Sequence, residues 1–325
     1  MKIGRIIRQS PDGPVPRLVS VHPDTNTVLD LAAAERRRLI ERGASHRMAT
    51  RLATAQFPGS LTEALETGTA FTDAVTRLHQ QCDLLDGIAL TDVNWLPPVD
   101  PPVLRDFNAF KNHEVNAPDV WFEVPLFFKI NPSTVIGTGG LVTWPVGCEH
   151  LDYELELGLV VGTHSSNLTP ETAHRALFGV TVFNDFSARN LLRYEMDGRL
   201  GPAKGKDFCT AIGPWVVTLD ELDLSDLAMS ATINGEQWSA GNSGSLVWSI
   251  GEILAYASRS EPLVPGEVIG TGTVAGGSGW ELGRRLAPGD VVQLDINGIG
   301  SLVNTVGDPE PARWNPQPRD RSSAR

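Results

Sequence analysis

Cysteine is scarce in this 325-residue chain: Cys82, Cys148 and Cys209 are widely spaced and form no CxxC pair. That count argues against a disulfide framework or a cysteine zinc site and fits reduced thiols in a cytosolic enzyme. Basic charge is scarce too, with 27 Lys and Arg against 39 Asp and Glu, a net charge of −12. No basic cluster exceeds Glu35-Arg36-Arg37-Arg38 and a short Arg-bearing tail. Nucleic acid is therefore not an expected partner, because phosphate binding needs concentrated Lys and Arg. No run approaches the ~18 apolar residues of a membrane span. The start, MKIGRIIRQSPDGPVP, is charged and broken by Pro, with no apolar h-region. A cytoplasmic protein without a membrane partner is expected. GxxxxGK[ST], GxSxG and HExxH are all absent, and there is no internal repeat. An acidic chain that acts on an anion needs local positive charge, from a metal or a few placed cations.

What is present is a globular composition, 41% apolar with eight Trp. Short extended runs open the chain (KIGRII, RLVSV, TVLDL). Two helical patterns follow at 31–54 and 61–85, the second preceded by Ser60 with Glu63 three residues on, as in a capping box. The connector LPPVDPPV at 96–103 holds four prolines and marks a boundary. The expected organisation is a small domain over 1–95, a catalytic domain over 100–307 and a flexible tail over 308–325. Beyond the connector, IGPWVVTL, MSATING, EVIGTGTV, DVVQLDING and SLVNTV read as strands, with Asn297-Gly298 a hairpin turn. Their spacing implies a mainly β domain of sandwich or barrel type.

The stretch LDYELELGLVV at 151–161 carries its chemistry on one side. In an extended chain, side chains two apart share a face. Leu151, Tyr153, Leu155, Leu157 and Leu159 make an apolar face. Asp152, Glu154 and Glu156 make the other, followed by Gly158 and Val160. Either water or a cation must meet those carboxylates, since burying them unpaired costs several kcal/mol each. An oxygen-only cluster suits Mg²⁺, Mn²⁺ or Ca²⁺ better than Zn²⁺. Asp152, nearest the turn, reads as solvated or structural.

LFGVTVFNDFSARN has a strand pattern ending at Asn184-Asp185, then a turn into a helix from Ala188. Asp185 is thus a third carboxylate able to join Glu154 and Glu156 in a facial triad, or a turn residue. In RDFNAFKNHEVN, His113 follows Asp106 by seven residues, one face if the piece is helical. Lys206 sits in the Gly- and Pro-rich loop LGPAKGKDF, over a pocket or in a solvated turn. Arg189 shares a turn with Asp185 and either meets a substrate carboxylate or pairs with an acidic neighbour. GTGTVAGGSGWEL at 270–282 formally contains G-x-G-x-x-A, but Gly276, Gly277, Gly279 and Gly283 leave no room for the helix a dinucleotide site needs. Glu281 then stands beside a closely approachable backbone.

RDFNAFKNH, FFKINPSTVIG, LDYELELGLVVG, VFNDFSARN, GPAKGKDF, IGPWVVT, GEVIGTGTV and the WEL at Glu281, in this order, resemble the fumarylacetoacetate hydrolase family across roughly residues 100–307. The resemblance implies an α+β, mainly β fold: a mixed β-sandwich roll as catalytic domain, with a smaller N-terminal α/β domain, usually paired as a homodimer. It places Glu154, Glu156 and Asp185 on divalent-metal ligands, with Asp106 as a fourth and Mg²⁺ as the expected ion (Mn²⁺ or Ca²⁺ as alternatives). It places His113 and Glu281 on a water-activating dyad, Lys206 on a substrate-polarising lysine, and Thr273 and Arg189 at the substrate. The implied reaction is hydrolysis of a carbon–carbon bond in a diketo acid, a small anionic oxo acid. Decarboxylation, dienoate isomerisation and sugar-acid dehydration use the same kind of site, as would a metal-stabilised domain that binds an acid without chemistry. The chain departs from the pattern at Asn190, Leu192 and Asn108, positions that bear on the substrate and not on the metal.

Overall fold

The computed structural model describes residues 1–11, 13–81, 87–110 and 118–319. His113 and Cys82 lie outside the described residues, as does the end of the expected tail.

A mixed sheet of twelve strands organises the chain. Its order is Ile88–Ala89, Thr27–Asp30, Gly13–His22, Lys2–Ser10, Thr210–Thr218, Leu177–Asp185, Leu155–Val161, Val268–Gly270, Leu104–Phe107 and Phe127–Ile130. Asn94–Leu96 and Val135–Ile136 pair beside that path. A five-stranded sheet runs Glu236–Asn242, Ala228–Ile233, Val291–Ile296, Gly300–Pro309 and Leu141–Trp144. Three pairings are parallel, among them Val268–Gly270 with Leu104–Phe107. The fold is the expected mainly β sandwich roll with a few helices.

The alternation along 151–161 decides how the layers meet. Leu155, Leu157, Leu159 and Val161 pack with Ala231, Ile233, Leu294 and Leu302 of the five-stranded sheet. Val160 points the other way, into a second cluster with Phe183, Val216, Leu31, Phe57, Leu61 and Phe71. The helices of residues 31–81 therefore cover the face of the large sheet opposite the small one. Each fully buried Leu or Phe contributes roughly 1.5–3 kcal/mol, so a strand clothed on both sides can carry polar groups at one end. The N-terminal segment is joined to this layer by hydrogen bonding as well, since Lys2 and Ile3 pair with Val217 and Val216.

Two hairpin turns of the five-stranded sheet follow from Asn-Gly pairs. Asn234 and Gly235 have φ of 52° and 83° between the paired Ile233 and Glu236, which only a two-residue turn with left-handed backbone closes. Asn297-Gly298 closes the next hairpin, with Ile296 opposite Gly300.

Four expectations change. The helical pattern at 31–54 is two helices, Leu31–Glu41 and His46–Gln56, because Gly43 at φ 94° ends the first and Ser45 caps the second. The pattern at 61–85 is likewise Leu61–Leu65 and Thr69–Gln81, broken at Gly68 with φ 63°. At Ser60 only half a capping box forms: its Oγ accepts from Glu63 N at 3.2 Å and donates to Asp100. The complete box is at Ser249 and Glu252. Finally, Asp106 lies on the strand Leu104–Phe107 and not on a helix, while His113 is outside the described residues. The last strand also runs to Pro309, slightly past the expected start of the tail.

Candidate active site

The site forms where neighbouring strands of the large sheet end together. Leu155–Val161 lies between Leu177–Asp185 and Val268–Gly270, and Leu104–Phe107 comes next. This order brings Glu156, Asp185 and Asp106 to one place from three strands. Glu154 reaches it from a break in the expected continuous strand: Tyr153 is unpaired, Glu154 makes an isolated bridge to Ser278, and its N–H donates to Asn184 Oδ1 at 3.0 Å.

Carboxylate oxygens of Asp106, Glu154 and Glu156 lie within 4.8 Å of one another, all three residues buried. Gly270 makes this approach possible. A Cβ there would stand 2.5 Å from Asp106 Oδ1 and 2.8 Å from Glu156 Oε2. Glu156 is held by Gly272 N–H at 2.9 Å and the Thr273 hydroxyl at 3.2 Å. Asp185 turns to Lys206, whose Nζ is 2.6 Å from Asp185 Oδ2 and 2.5 Å from Glu154 Oε2. The lysine loop is fixed from behind, because the Glu195 carboxylate accepts the N–H groups of Ala203, Lys204 and Gly205.

Arg189 pairs with acidic neighbours, one of the two roles left open by the sequence. Its Nη1 donates to Glu154 Oε1 at 2.7 Å, and its Nε and Nη2 donate to Asp152 Oδ2 at 2.9 and 2.6 Å. Asp152 is fully buried and also accepts from Gly279 and Trp280 N–H. It is structural, not solvated, and it ties the glycine-rich loop to Arg189. The alternation rule places Asp152 on the acidic face; only the structure shows what it holds. The departure at Asn190 is structural as well: its side chain accepts from Glu149 N–H and donates to Gly147 C=O.

Five buried carboxylates thus share two cations. Burial pushes the Asp106 and Glu156 carboxyls well above the usual range, and repulsion from neighbouring carboxylates adds to it. Burial pushes Asp185 up to about 6, against the pull of Lys206. Burial opposes the Lys206 ammonium, but Asp185 and Glu154 outweigh it and raise its pKa, so it stays charged. Asp106 Oδ1 and Asp185 Oδ1 have no hydrogen-bond donor among the described residues. An all-oxygen set with an excess of negative charge, orphaned oxygens and a glycine leaving room beneath them fits a hard divalent cation.

The cluster lines one end of a cavity of about 420 Å³, together with Arg189, Lys206 and Thr273. Apart from Asn108, the rest of its wall among the described residues is apolar. Glu281 is not part of that wall among the described residues; its carboxylate accepts from Gly276 N–H and Ser278 Oγ at 3.0 and 2.8 Å. A larger cavity of about 1590 Å³ lies away from these carboxylates, between Trp95, Trp215 and the five-stranded sheet, and offers no comparable chemistry. Among the described residues no helix is long and apolar enough to cross a membrane.

Solved structures share this architecture. A fumarylacetoacetate hydrolase from Exiguobacterium antarcticum is 26% identical with a TM-score of 0.73, covering 94% of this chain and 99% of that one. A 5-carboxymethyl-2-hydroxymuconate delta-isomerase from Mycobacterium smegmatis is 25% identical with a TM-score of 0.66, covering 94% and 99%. A maleylpyruvate hydrolase from Sphingobium sp. SYK-6, in complex with manganese(II) and pyruvate, shares the fold at 22% identity and a TM-score of 0.71, covering 95% and 100%. The similar folds are thus those of enzymes, hydrolases and an isomerase among them. The family description "Fumarylacetoacetate (FAA) hydrolase C-terminal" matches residues 103–307, the span that holds all the carboxylates above. The chain belongs to the fumarylacetoacetate hydrolase family.

Proposed function

We propose that this protein is a metal-dependent hydrolase that cleaves a carbon–carbon bond of a diketo acid, of fumarylacetoacetate-like or acylpyruvate-like type. The observation that carries this reading is the convergence of Asp106, Glu154 and Glu156 within 4.8 Å at one end of a buried cavity, with Asp185 and Lys206 beside them. A divalent cation, Mg²⁺ with Mn²⁺ or Ca²⁺ as alternatives, supplies Lewis-acid stabilisation of enolate charge when bound. Asp106, Glu154, Glu156 and Asp185 are its ligands in this reading. Lys206, kept charged by Asp185 and Glu154, donates to the oxyanion that forms at the attacked carbonyl. Thr273 and Arg189, on the cavity wall, face the acid end of the substrate, and Arg189 also steadies Glu154. His113, oriented by Glu281, takes a proton from the attacking water. The hydrolysis consumes one water and yields one carboxylic acid and one oxo acid, pyruvate from an acylpyruvate or acetoacetate from a fumarylacetoacetate-like acid. The working form in this reading is a cytoplasmic homodimer, which rests on the family resemblance and, for the compartment, on three widely spaced cysteines without a CxxC pair.

One observation favours a second reading. Among the described residues Asp106, Glu154, Glu156 and Lys206 line the cavity, while Glu281 does not. A reaction that needs no water base, decarboxylation of an oxaloacetate-like acid or isomerisation of a dienoate, uses the carboxylates without it. The two readings separate when wild type and His113→Ala are compared on acylpyruvates and on oxaloacetate, with Mg²⁺ and then with EDTA. Hydrolysis predicts metal-dependent diketo acid cleavage that falls by about 10²–10⁴-fold in the variant. Turnover of oxaloacetate alone, unchanged in His113→Ala, replaces hydrolysis with decarboxylation.

A further inference from the structure

Glu154 meets a cation at each of its carboxylate oxygens. Arg189 Nη1 donates to Oε1 at 2.7 Å, and Lys206 Nζ donates to Oε2 at 2.5 Å. Both cations depend on one short element, the helix Arg189–Asp197. Arg189 is its first residue. Lys206 lies on the loop that follows, and that loop is fastened to the helix in three places. At the helix start, Ala188 N–H donates to Gly205 C=O at 2.9 Å. Further along, the two backbones come together, since a Cβ on Gly205 would stand 2.6 Å from Leu192 N and Cα. In the last turn, the Glu195 carboxylate accepts three consecutive backbone N–H groups. Ala203 and Gly205 donate to its Oε2 at 2.9 and 3.0 Å, and Lys204 donates to its Oε1 at 2.5 Å. Lys206 N–H closes the turn on Ala203 C=O at 3.0 Å.

Successive N–H groups converging on one point form a concave donor set that suits an anion. A carboxylate fills it with charge-assisted bonds, about twice as strong as neutral ones. None of the nine helix residues is buried, so apolar packing does little to hold helix and loop together. From this arrangement we infer that Glu195 is a positioning residue, which acts through the 203–206 turn to hold the Lys206 ammonium between Glu154 and Asp185. The inference rests on the metal-dependent hydrolase reading and adds a consequence to it. An ammonium held on oxygens of two metal ligands competes with the metal for them, while staying in place as a donor to the reacting carbonyl. Glu195 thus keeps metal affinity below what the carboxylates alone would give, and keeps turnover high.

The test is a double-substitution cycle of Glu195→Gln and Lys206→Met in the full chain. It is read by Mn²⁺ calorimetry, by thermal unfolding in EDTA and by turnover of a diketo acid. Gln keeps the volume of Glu195 but turns an NH2 group toward donors that need an acceptor. Glu195→Gln is expected to tighten the Mn²⁺ Kd by about 3–10-fold, the effect of partly withdrawing one nearby positive charge. It is expected to lower kcat by about 10–100-fold, less than removal of the donor itself. A helix that is merely loosened weakens metal binding together with turnover, and loss of the Glu195 charge acting through space alone also weakens it. A weaker or unchanged Kd therefore overturns the inference. In the Lys206→Met background, Glu195→Gln is expected to change the Kd by less than about twofold, and a change of full size overturns the inference. The EDTA arm needs neither metal nor reaction. There the double variant is expected to lose clearly less Tm than the two single losses summed, and additive losses overturn the coupling. If the wild type cleaves no diketo acid, the hydrolase reading fails, while the Kd and Tm cycles still decide the role of Glu195.

Discussion

Gly270 and Asp106 stand opposite each other in a parallel strand pair, and a methyl group on the glycine would reach to 2.5 Å of Asp106 Oδ1. The same methyl would crowd Glu156. Space for two carboxylates side by side is thus written into a residue without a side chain. Gly270→Ala is expected to weaken Mn²⁺ binding by about 10–100-fold, the size of effect seen when a ligand's support is disturbed. Overpacking adds a stability cost of about 1–3 kcal/mol. Calorimetry with Mn²⁺ and thermal unfolding of the same variant check both, and an unchanged Kd contradicts the placement of the site.

Lys206 is the internal counter-charge of the cluster. Lys206→Met leaves Glu154 and Asp185 buried without it, so the metal-free protein should lose about 3–5 kcal/mol. Mg²⁺ should recover a larger part of that loss than it adds to wild type, because the cation then neutralises the same oxygens. Turnover of a diketo acid should fall by about 10²–10³-fold, as for other single oxyanion donors. Thermal unfolding with Mg²⁺ and with EDTA, beside a rate assay, tests both statements.

The raised carboxyls give the site a pH dependence of known sign. Asp106, Glu156 and Asp185 hold protons in the folded, metal-free protein that the unfolded chain releases above about pH 4. The stability they contribute is complete below the unfolded value and is lost as pH rises through the folded value, about 6 for Asp185. A bound divalent cation displaces those protons, so its affinity rises over the same window. The gap in Tm between Mg²⁺ and EDTA samples should therefore widen from about pH 5 to about pH 8. A gap that stays constant or narrows contradicts the titration assigned to the cluster.

Ser249→Ala serves as a contrast away from the site. It breaks a complete capping box, in which Ser249 and Glu252 satisfy each other's backbone N–H groups. The expected cost is about 1 kcal/mol with unchanged metal affinity. A changed Kd for Mn²⁺ would show that stability alone moves the site, and the Gly270→Ala result would then need reinterpretation.

Much of the site was legible because strand alternation is a strict rule. Leu155, Leu157 and Leu159 against Glu154 and Glu156 needed only the period of two, and the strand end at Asp185 needed only the turn that follows it. The helix breaks at Gly43 and Gly68 were harder, since apolar periodicity continues through a glycine whose left-handed backbone is visible only in three dimensions. Asp106 illustrates a wrong period: spacing to His113 suited a helix, while pairing with Gly270 and Phe128 makes the segment a strand. The apolar end of the cavity was not legible at all. Trp121 and Met196 meet there from distant parts of the chain, and no local pattern connects them. Nor did local pattern assign the pairing of Arg189 with Asp152, which depends on a turn and a loop meeting across the sheet edge.

The most direct measurement is pyruvate release from a phenyl-ended 2,4-dioxo acid by the wild-type protein, in Mg²⁺ and after EDTA, beside Glu156→Gln. The account predicts one pyruvate and one benzoate per substrate, loss of the reaction in EDTA with recovery on adding Mg²⁺, and a rate in Glu156→Gln lower by about 10²-fold or more. Cleavage that persists in EDTA and in Glu156→Gln would contradict a metal-dependent reaction at these carboxylates.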